Sequence, residues 1–202
     1  MAFNMWLIAA AVVSYLCGSI NSSVLITKYI YHTDIRTQGS GNAGATNAAR
    51  VFGMRAGVMT FLGDILKTIV PMVIFGNMLG SVGLAVSGMF CLIGHCWPVY
   101  FGFRGGKGVS TGAMLALMVD WRIFLILVAT FFLVFALCRI VSASSITVAA
   151  MFPIAAWLLQ APRPEFVMAL LGGLLVIFQH RANIGRLIRG EEKQFKAGGK
   201  KN

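Results

Sequence analysis

Charge is what this chain has least of. Only 11% of its 202 residues are Asp, Glu, Lys or Arg, against about a quarter in soluble domains. That deficit, with 58% hydrophobic residues and a mean hydropathy of +0.81, excludes an ordinary soluble globule and implies a polytopic membrane protein. Carboxylates are scarcest: six stand against seventeen Lys and Arg, a formal net charge of +11. With no soluble domain left over, nucleic acid is a poor partner for that charge. The four cysteines lie in or beside apolar segments, so no disulfide framework is implied. Cys91, His95 and Cys96 match no zinc spacing, and buried thiols ordinarily act as small apolar fillers. No metal and no cofactor are expected. No basic residue precedes the first apolar run, which is too long for a signal-peptide core, so a retained helix is expected. Cys17 does not read as a lipoprotein site either, because Ser14-Tyr15-Leu16 puts bulk where a small residue is needed. There is no internal repeat, and only the basic tail 194–202 reads as disordered.

The apolar runs predict an all-α membrane bundle, one domain over 1–202, with about seven spans near 4–27, 57–79, 82–101, 107–119, 122–139, 143–160 and 165–180. The fourth is short. Its apolar part, 110–119, rises only about 15 Å at helical pitch, against a hydrocarbon core of about 30 Å. Either that helix begins back at 105–107 or it is a partial span. With the N-terminus outside, fourteen of the seventeen basic residues fall on one side and only Arg122 and Arg163 on the other. That asymmetry predicts a periplasmic N-terminus and a cytosolic C-terminus. It also gives the cytosolic face a charge suited to anionic headgroups and phosphorylated substrates.

Four polar islands share that face. The first is Gly39-Ser40-Gly41-Asn42-Ala43-Gly44-Ala45-Thr46-Asn47, flanked by Arg36 and Arg50. Glycines let successive N–H groups curve around a phosphate, hydroxyls add donors and arginine adds charge. The second runs from Gly102 to Ser110 and holds Gly105, Gly106, Lys107 and Gly108. It is not a Walker A motif, because three residues rather than four precede the Gly-Lys pair and Gly follows the Lys. What survives is a lysine on a glycine-lined turn that opens a helix, a place suited to phosphate. A topogenic anchor is the plainer alternative, but anchoring does not need the glycines. Ser142 and Ser145 form the third island, where phosphate contact and helix capping fit equally. The fourth, 180–192, places His180 and Asn183 on one face if the last helix continues past the membrane surface. Arg181, Arg186 and Arg189 read as a headgroup-facing strip. Asp64 and Lys67 lie inside a span, where one charge costs about 2.5–3.5 kcal/mol. Three-residue spacing lets them pair, which favours a structural role.

The motifs GSGNAGATN at 39–47, GHCWPVYFGFRGGKGV at 94–109 and HRANIGRLIRGEE at 180–192 make the chain resemble the bacterial acyl-phosphate:glycerol-3-phosphate acyltransferases over nearly its whole length. The resemblance implies a seven-helix enzyme of the bacterial inner membrane, with its site facing the cytosol and the bilayer itself as a partner. It implies acyl phosphate as donor, glycerol 3-phosphate as acceptor and lysophosphatidic acid as product. Carried over by motif, Ser40, Arg50, Lys107 and Ser145 would surround the donor phosphate, with Asn42 and Thr46 in the same pocket. His180 and Asn183 would meet glycerol phosphate. Gly39, Gly41, Gly44, Asn47, Gly105, Gly106, Gly108 and Ser142 complete the expected binding set. No HxxxxD motif follows any histidine, so a His–Asp base of that type is absent. The rival reading is a channel or carrier for a phosphorylated anion, which also needs a basic, glycine-rich site. It predicts polar residues reaching the far side, yet the outer loops near 76–81, 120–122 and 160–165 carry no comparable island. A non-catalytic scaffold would leave the clustered glycines and Lys107 unexplained.

Overall fold

The computed structural model describes residues 2–196, and among these there is no β-strand. Nine α-helices follow in chain order: α1 (Ala2–Gly18), α2 (Ser22–Tyr31), α3 (Ala45–Phe52), α4 (Met54–Cys96), α5 (Val109–Val119), α6 (Trp121–Cys138), α7 (Val141–Leu158), α8 (Arg163–Gln179) and α9 (Arg181–Ile188). By length and composition four stretches can cross a membrane: Phe3–Tyr31, Met54–Phe101, Trp121–Cys138 and Val141–Leu158. The α8–α9 pair, bent by 59°, makes a fifth if counted as one broken span.

Helix α4 is not straight. Gly80 has φ 63° and ψ −151°, dihedrals that only glycine adopts readily, and there the chain doubles back. Lys67 Nζ lies 3.0 Å from His95 Nδ1; a straight helix would separate positions 28 apart by about 42 Å. Two antiparallel arms, before and after Gly80, therefore stand where the sequence predicts separate spans at 57–79 and 82–101. The second arm packs on α1 with backbones nearly touching: a Cβ on Gly94 would collide with the Tyr15 carbonyl. Small residues at such crossings let helices associate through close contact rather than through the hydrophobic effect. Apolar side chains of α4, α5, α6, α7 and α8 make the main core, with Met72, Leu92, Leu115, Ile123, Phe152 and Met168 at its centre.

Helix α5 begins at Val109, not at 105–107. It has eleven residues, apolar but shorter than the helices long enough to cross a membrane. Its short length leaves Gly105–Gly108 as non-helical backbone. Helix α8 ends at Gln179 rather than running on. His180 Nδ1 bonds to the Val176 carbonyl at 2.7 Å, and the chain turns into α9 at that residue. Of the tail expected to be disordered, residues 197–202 lie outside the described residues. Within 194–196, the Phe195 N–H donates to the Arg139 carbonyl at 2.8 Å, and its ring meets the edge of Phe135.

Candidate active site

The loop before α3 is organised by one side chain. Asn47 is 1% exposed. Its amide nitrogen donates to the carbonyls of Gln38 (2.9 Å) and Asn42 (3.1 Å), and its Oδ1 accepts from the Ser40 N–H at 2.9 Å. These bonds hold the loop folded over the first turn of α3. Gly39, at φ +59°, fits only because it lacks the Cβ that would strike Asn47 Oδ1. Asn47 is thus the frame of the cradle. Arg36, expected to flank the anion, is spent elsewhere: it pairs with Asp34 at 2.7 Å and donates to the Phe101 carbonyl at 2.7 Å. Arg50, on α3, has no hydrogen bond or ion pair among the described residues and faces a cavity.

That cavity, about 910 Å³, gathers all four polar islands. Every residue of the expected set lines it except Gly105 and Gly106. Those two pack behind the Lys107 turn, where a Cβ on either would collide with His95. The cavity then continues between helices, past Phe124, Leu127 and Phe131 of α6 and Val148 and Phe152 of α7. A cationic, donor-rich mouth thus opens into a greasy arm.

At the mouth, Lys107 Nζ donates to Asn183 Oδ1 at 2.5 Å. The other end of that amide donates to Glu192 Oε1 at 2.6 Å. Glu192 also accepts from Ser142 Oγ at 2.7 Å and pairs with Arg186 at 2.5 Å. Burial presses the Lys107 pKa down to about 8; the opposing pull of Glu192 is outweighed with help from nearby Arg186 and Arg50. Burial pushes Glu192 up, but hydrogen bonds from Ser142, Arg186 and Asn183 prevail and hold it below the ordinary glutamate value. His180 is 3% exposed, and its neutral ring, donating through Nδ1 to Val176, leaves Nε2 as an acceptor. Ser145 turns its hydroxyl to the Val141 carbonyl at 2.8 Å.

The sequence reading gave no site role to Glu192, Ser110 or His95 and read Arg186 as a headgroup contact, yet all four line the cavity. Glu192 was visible as one of few carboxylates, set in a basic island. Arg186 is not purely a headgroup contact, since it anchors Glu192. Asp64 and Lys67 do pair, at 2.9 Å. They do not stand alone: Ser110 Oγ donates to Asp64 Oδ2 at 2.6 Å, and Lys67 meets His95.

The glycerol-3-phosphate acyltransferase family model matches residues 8–190. A glycerol-3-phosphate acyltransferase from Clostridioides difficile (strain 630) is 45% identical over 196 residues, covering 93% of this chain and 95% of that protein. One from Thioalkalivibrio sulfidiphilus is 40% identical, covering 94% and 95%. The crystal structure of PlsY (YgiH), an integral membrane glycerol 3-phosphate acyltransferase, in its glycerol 3-phosphate form, superposes with a TM-score of 0.89. That protein is 35% identical, over 94% of this chain and 96% of its own. Its lysophosphatidic acid form gives 0.87 at 34% identity, over 95% and 96%.

Proposed function

The chain belongs to the glycerol-3-phosphate acyltransferase family, and from that premise we propose that it moves a fatty acyl group from acyl phosphate to the 1-hydroxyl of glycerol 3-phosphate. The products are lysophosphatidic acid and inorganic phosphate. The observation that carries this reading is the single cavity joining Ser40, Arg50, Lys107 and Asn183 to the apolar arm between α6 and α7. The donor needs both features at once, a phosphate seat and a channel for a long chain.

Acyl phosphate is a mixed anhydride and already activated, so no covalent acyl-enzyme is needed. The acceptor oxygen attacks the acyl carbonyl carbon, the carbon–oxygen bond to phosphate breaks, and phosphate departs. A phosphate oxygen of the donor takes the hydroxyl proton. Lys107, Arg50 and the N–H groups of 39–47 stabilise the departing charge, and the bound geometry supplies proximity. His180 accepts a hydrogen bond from the glycerol hydroxyl through Nε2 and orients it. Asn42, Thr46, Ser142 and Ser145 shape the same seat.

Seven membrane segments follow on this reading, with the two arms of α4 counted separately and the short α5 included. The N-terminus lies in the periplasm and the C-terminus and cavity mouth in the cytosol of a bacterial inner membrane. The lopsided basic residues support this orientation.

Purified protein given a synthetic acyl phosphate and glycerol 3-phosphate should release lysophosphatidic acid without acyl-CoA, and Lys107→Ala should abolish it. Product formed only from acyl-CoA would refute the donor assignment.

A further inference from the structure

The buried charges of α4 end on a histidine whose proton they position. Lys67 is 8% exposed, and an ammonium carries three N–H donors and no lone pair. One reaches the Ile20 carbonyl at 2.9 Å, one Asp64 Oδ1 at 2.9 Å, and one His95 Nδ1 at 3.0 Å. Nδ1 therefore accepts, and the proton of the neutral ring sits on Nε2. Asp64 Oδ1 lies 3.5 Å from Nδ1, too long for a competing hydrogen bond. Ser110, at the start of α5, fixes the other carboxylate oxygen, so the pair cannot swing away from the ring.

His95 is 2% exposed and lines the cavity, yet its Nε2 has no hydrogen-bond partner among the described residues. The Nε2 edge occupies the notch left by the absent side chain of Gly106: a Cβ there would strike Nε2 and press on the Ala43 carbonyl. The Gly106 N–H is tied to the His95 carbonyl at 3.1 Å, which fixes the notch to the ring that fills it. Lys107 is the next residue. The glycine loop, the lysine turn and this imidazole edge thus meet at one wall. With no protein acceptor of its own among the described residues, that N–H is free to donate to an oxygen of a ligand in the cavity.

We propose that His95 is a further substrate-binding residue, donating a hydrogen bond from Nε2 to a phosphoryl oxygen of the donor beside Lys107, with Asp64 and Lys67 as the positioning pair that holds the ring in this tautomer. The ligand's identity rests on the acyl-phosphate reading above. The Nε2–H of His95 as a hydrogen-bond donor does not.

Full-length protein labelled with 15N-histidine tests it, with inorganic phosphate and a non-hydrolysable acyl phosphonate as probes. The His95 signal, assigned by its loss in His95→Gln, should report a proton on Nε2, and that proton should shift when phosphonate is added. In turnover, His95→Asn keeps an atom for Lys67 but loses the far donor, and should lower kcat about 100-fold. His95→Gln, whose amide reaches the Nε2 position, should retain most of the activity. A proton on Nδ1, or no shift with either probe, overturns the assignment, as does wild-type turnover in a folded His95→Asn. If neither variant folds, the His95 signal is assigned by elimination with His32→Gln and His180→Gln, the other two histidines, and the wild-type spectrum decides. If the wild type shows the shift but makes no lysophosphatidic acid, the proposed reaction fails and the His95 site stands.

Discussion

Lys107 and Asn183, 76 positions apart in the chain, meet at 2.5 Å across the mouth of the cavity. The contact ties the turn before α5 to the first turn of α9, and Glu192 behind Asn183 keeps the amide facing the lysine. Lys107 is thereby held by a neutral acceptor rather than by a carboxylate. It keeps its charge for an incoming anion while its position is fixed.

Asn183→Asp should expose that economy. The new carboxylate would face Glu192 and draw Lys107 into an ion pair that competes with phosphate. Losing one charge-assisted contact of about 1.5–3 kcal/mol corresponds to roughly a 10- to 100-fold fall in kcat/KM. A folded Asn183→Asp enzyme with unchanged kcat/KM for glycerol 3-phosphate would show that the amide's neutrality is irrelevant.

Lys107 also sets an alkaline limit. Its pKa is lowered to about 8, chiefly by burial, so the free enzyme loses the cation as pH rises through about 8. Because the charged form binds phosphate, kcat/KM should fall above that pH. A bound phosphate favours the ammonium, so the fall in kcat should come at higher pH. A pH–rate profile measured on both parameters checks this; kcat/KM flat to pH 10 would remove Lys107 from phosphate binding.

Glu192 governs cohesion at the same end. It joins Ser142 on α7, Asn183 and Arg186 on α9, and its net pKa lies below the ordinary value. For a depressed carboxylate the stabilisation is fully present above the unfolded pKa and is lost as pH falls through the folded one. Melting temperature in detergent should therefore drop as the solution is acidified below the ordinary glutamate range. Glu192→Ala should remove about 3 kcal/mol at neutral pH and flatten that acid dependence. An unchanged melting temperature in the variant would mean the four-residue cluster is not structural.

Asn47 offers a second test of framing against binding. Asn47→Ala leaves the Ser40 N–H and the Gln38 and Asn42 carbonyls without their partner. Unsatisfied groups of this kind destabilise by about 1–3 kcal/mol each. The loop should loosen, raising KM for the acyl phosphate donor more than it lowers kcat. Hydrogen exchange of the 39–44 amides should rise in step; protection equal to wild type would place the frame elsewhere.

Much of the candidate site was legible because its members announce themselves locally. Glycines beside hydroxyls and a lone lysine flanked by glycines are costly patterns in a membrane chain, so Gly39–Asn47 and Lys107 stood out. His95 and Ser110 did not, since each takes its meaning from a residue far away in sequence, and Glu192 did not because it joins near partners to Ser142, 50 positions away. The reversal at Gly80 brings His95 to Lys67, and no periodicity within either arm reveals that meeting. Arg36 misled for the opposite reason: its partner Asp34 is two residues away and satisfies it before any ligand arrives. The membrane character was plain from composition. The bend at His180 was not, because a backbone-bonded imidazole looks the same in sequence as a free one.

The apolar arm should read acyl length, and Gly112 is where it can be changed. This glycine lines the cavity one turn into α5, and a Cβ there would meet nothing nearer than Val176 Cγ2 at 4.0 Å. A larger side chain has room to grow into the space the proposed donor would fill. Each methylene excluded forfeits about 0.8 kcal/mol of burial, roughly fourfold in kcat/KM. Gly112→Leu should therefore depress turnover of long acyl phosphates steeply while sparing short ones, shifting the preferred length downward. Gly173 is the control: its Cβ would collide with the Ala149 carbonyl, so Gly173→Leu should lower stability instead of altering preference. A series of acyl phosphates of increasing length, assayed with both variants, distinguishes the two effects. A Gly112→Leu profile parallel to wild type at every length would mean that the chain does not pass α5 and leaves the bundle by another route.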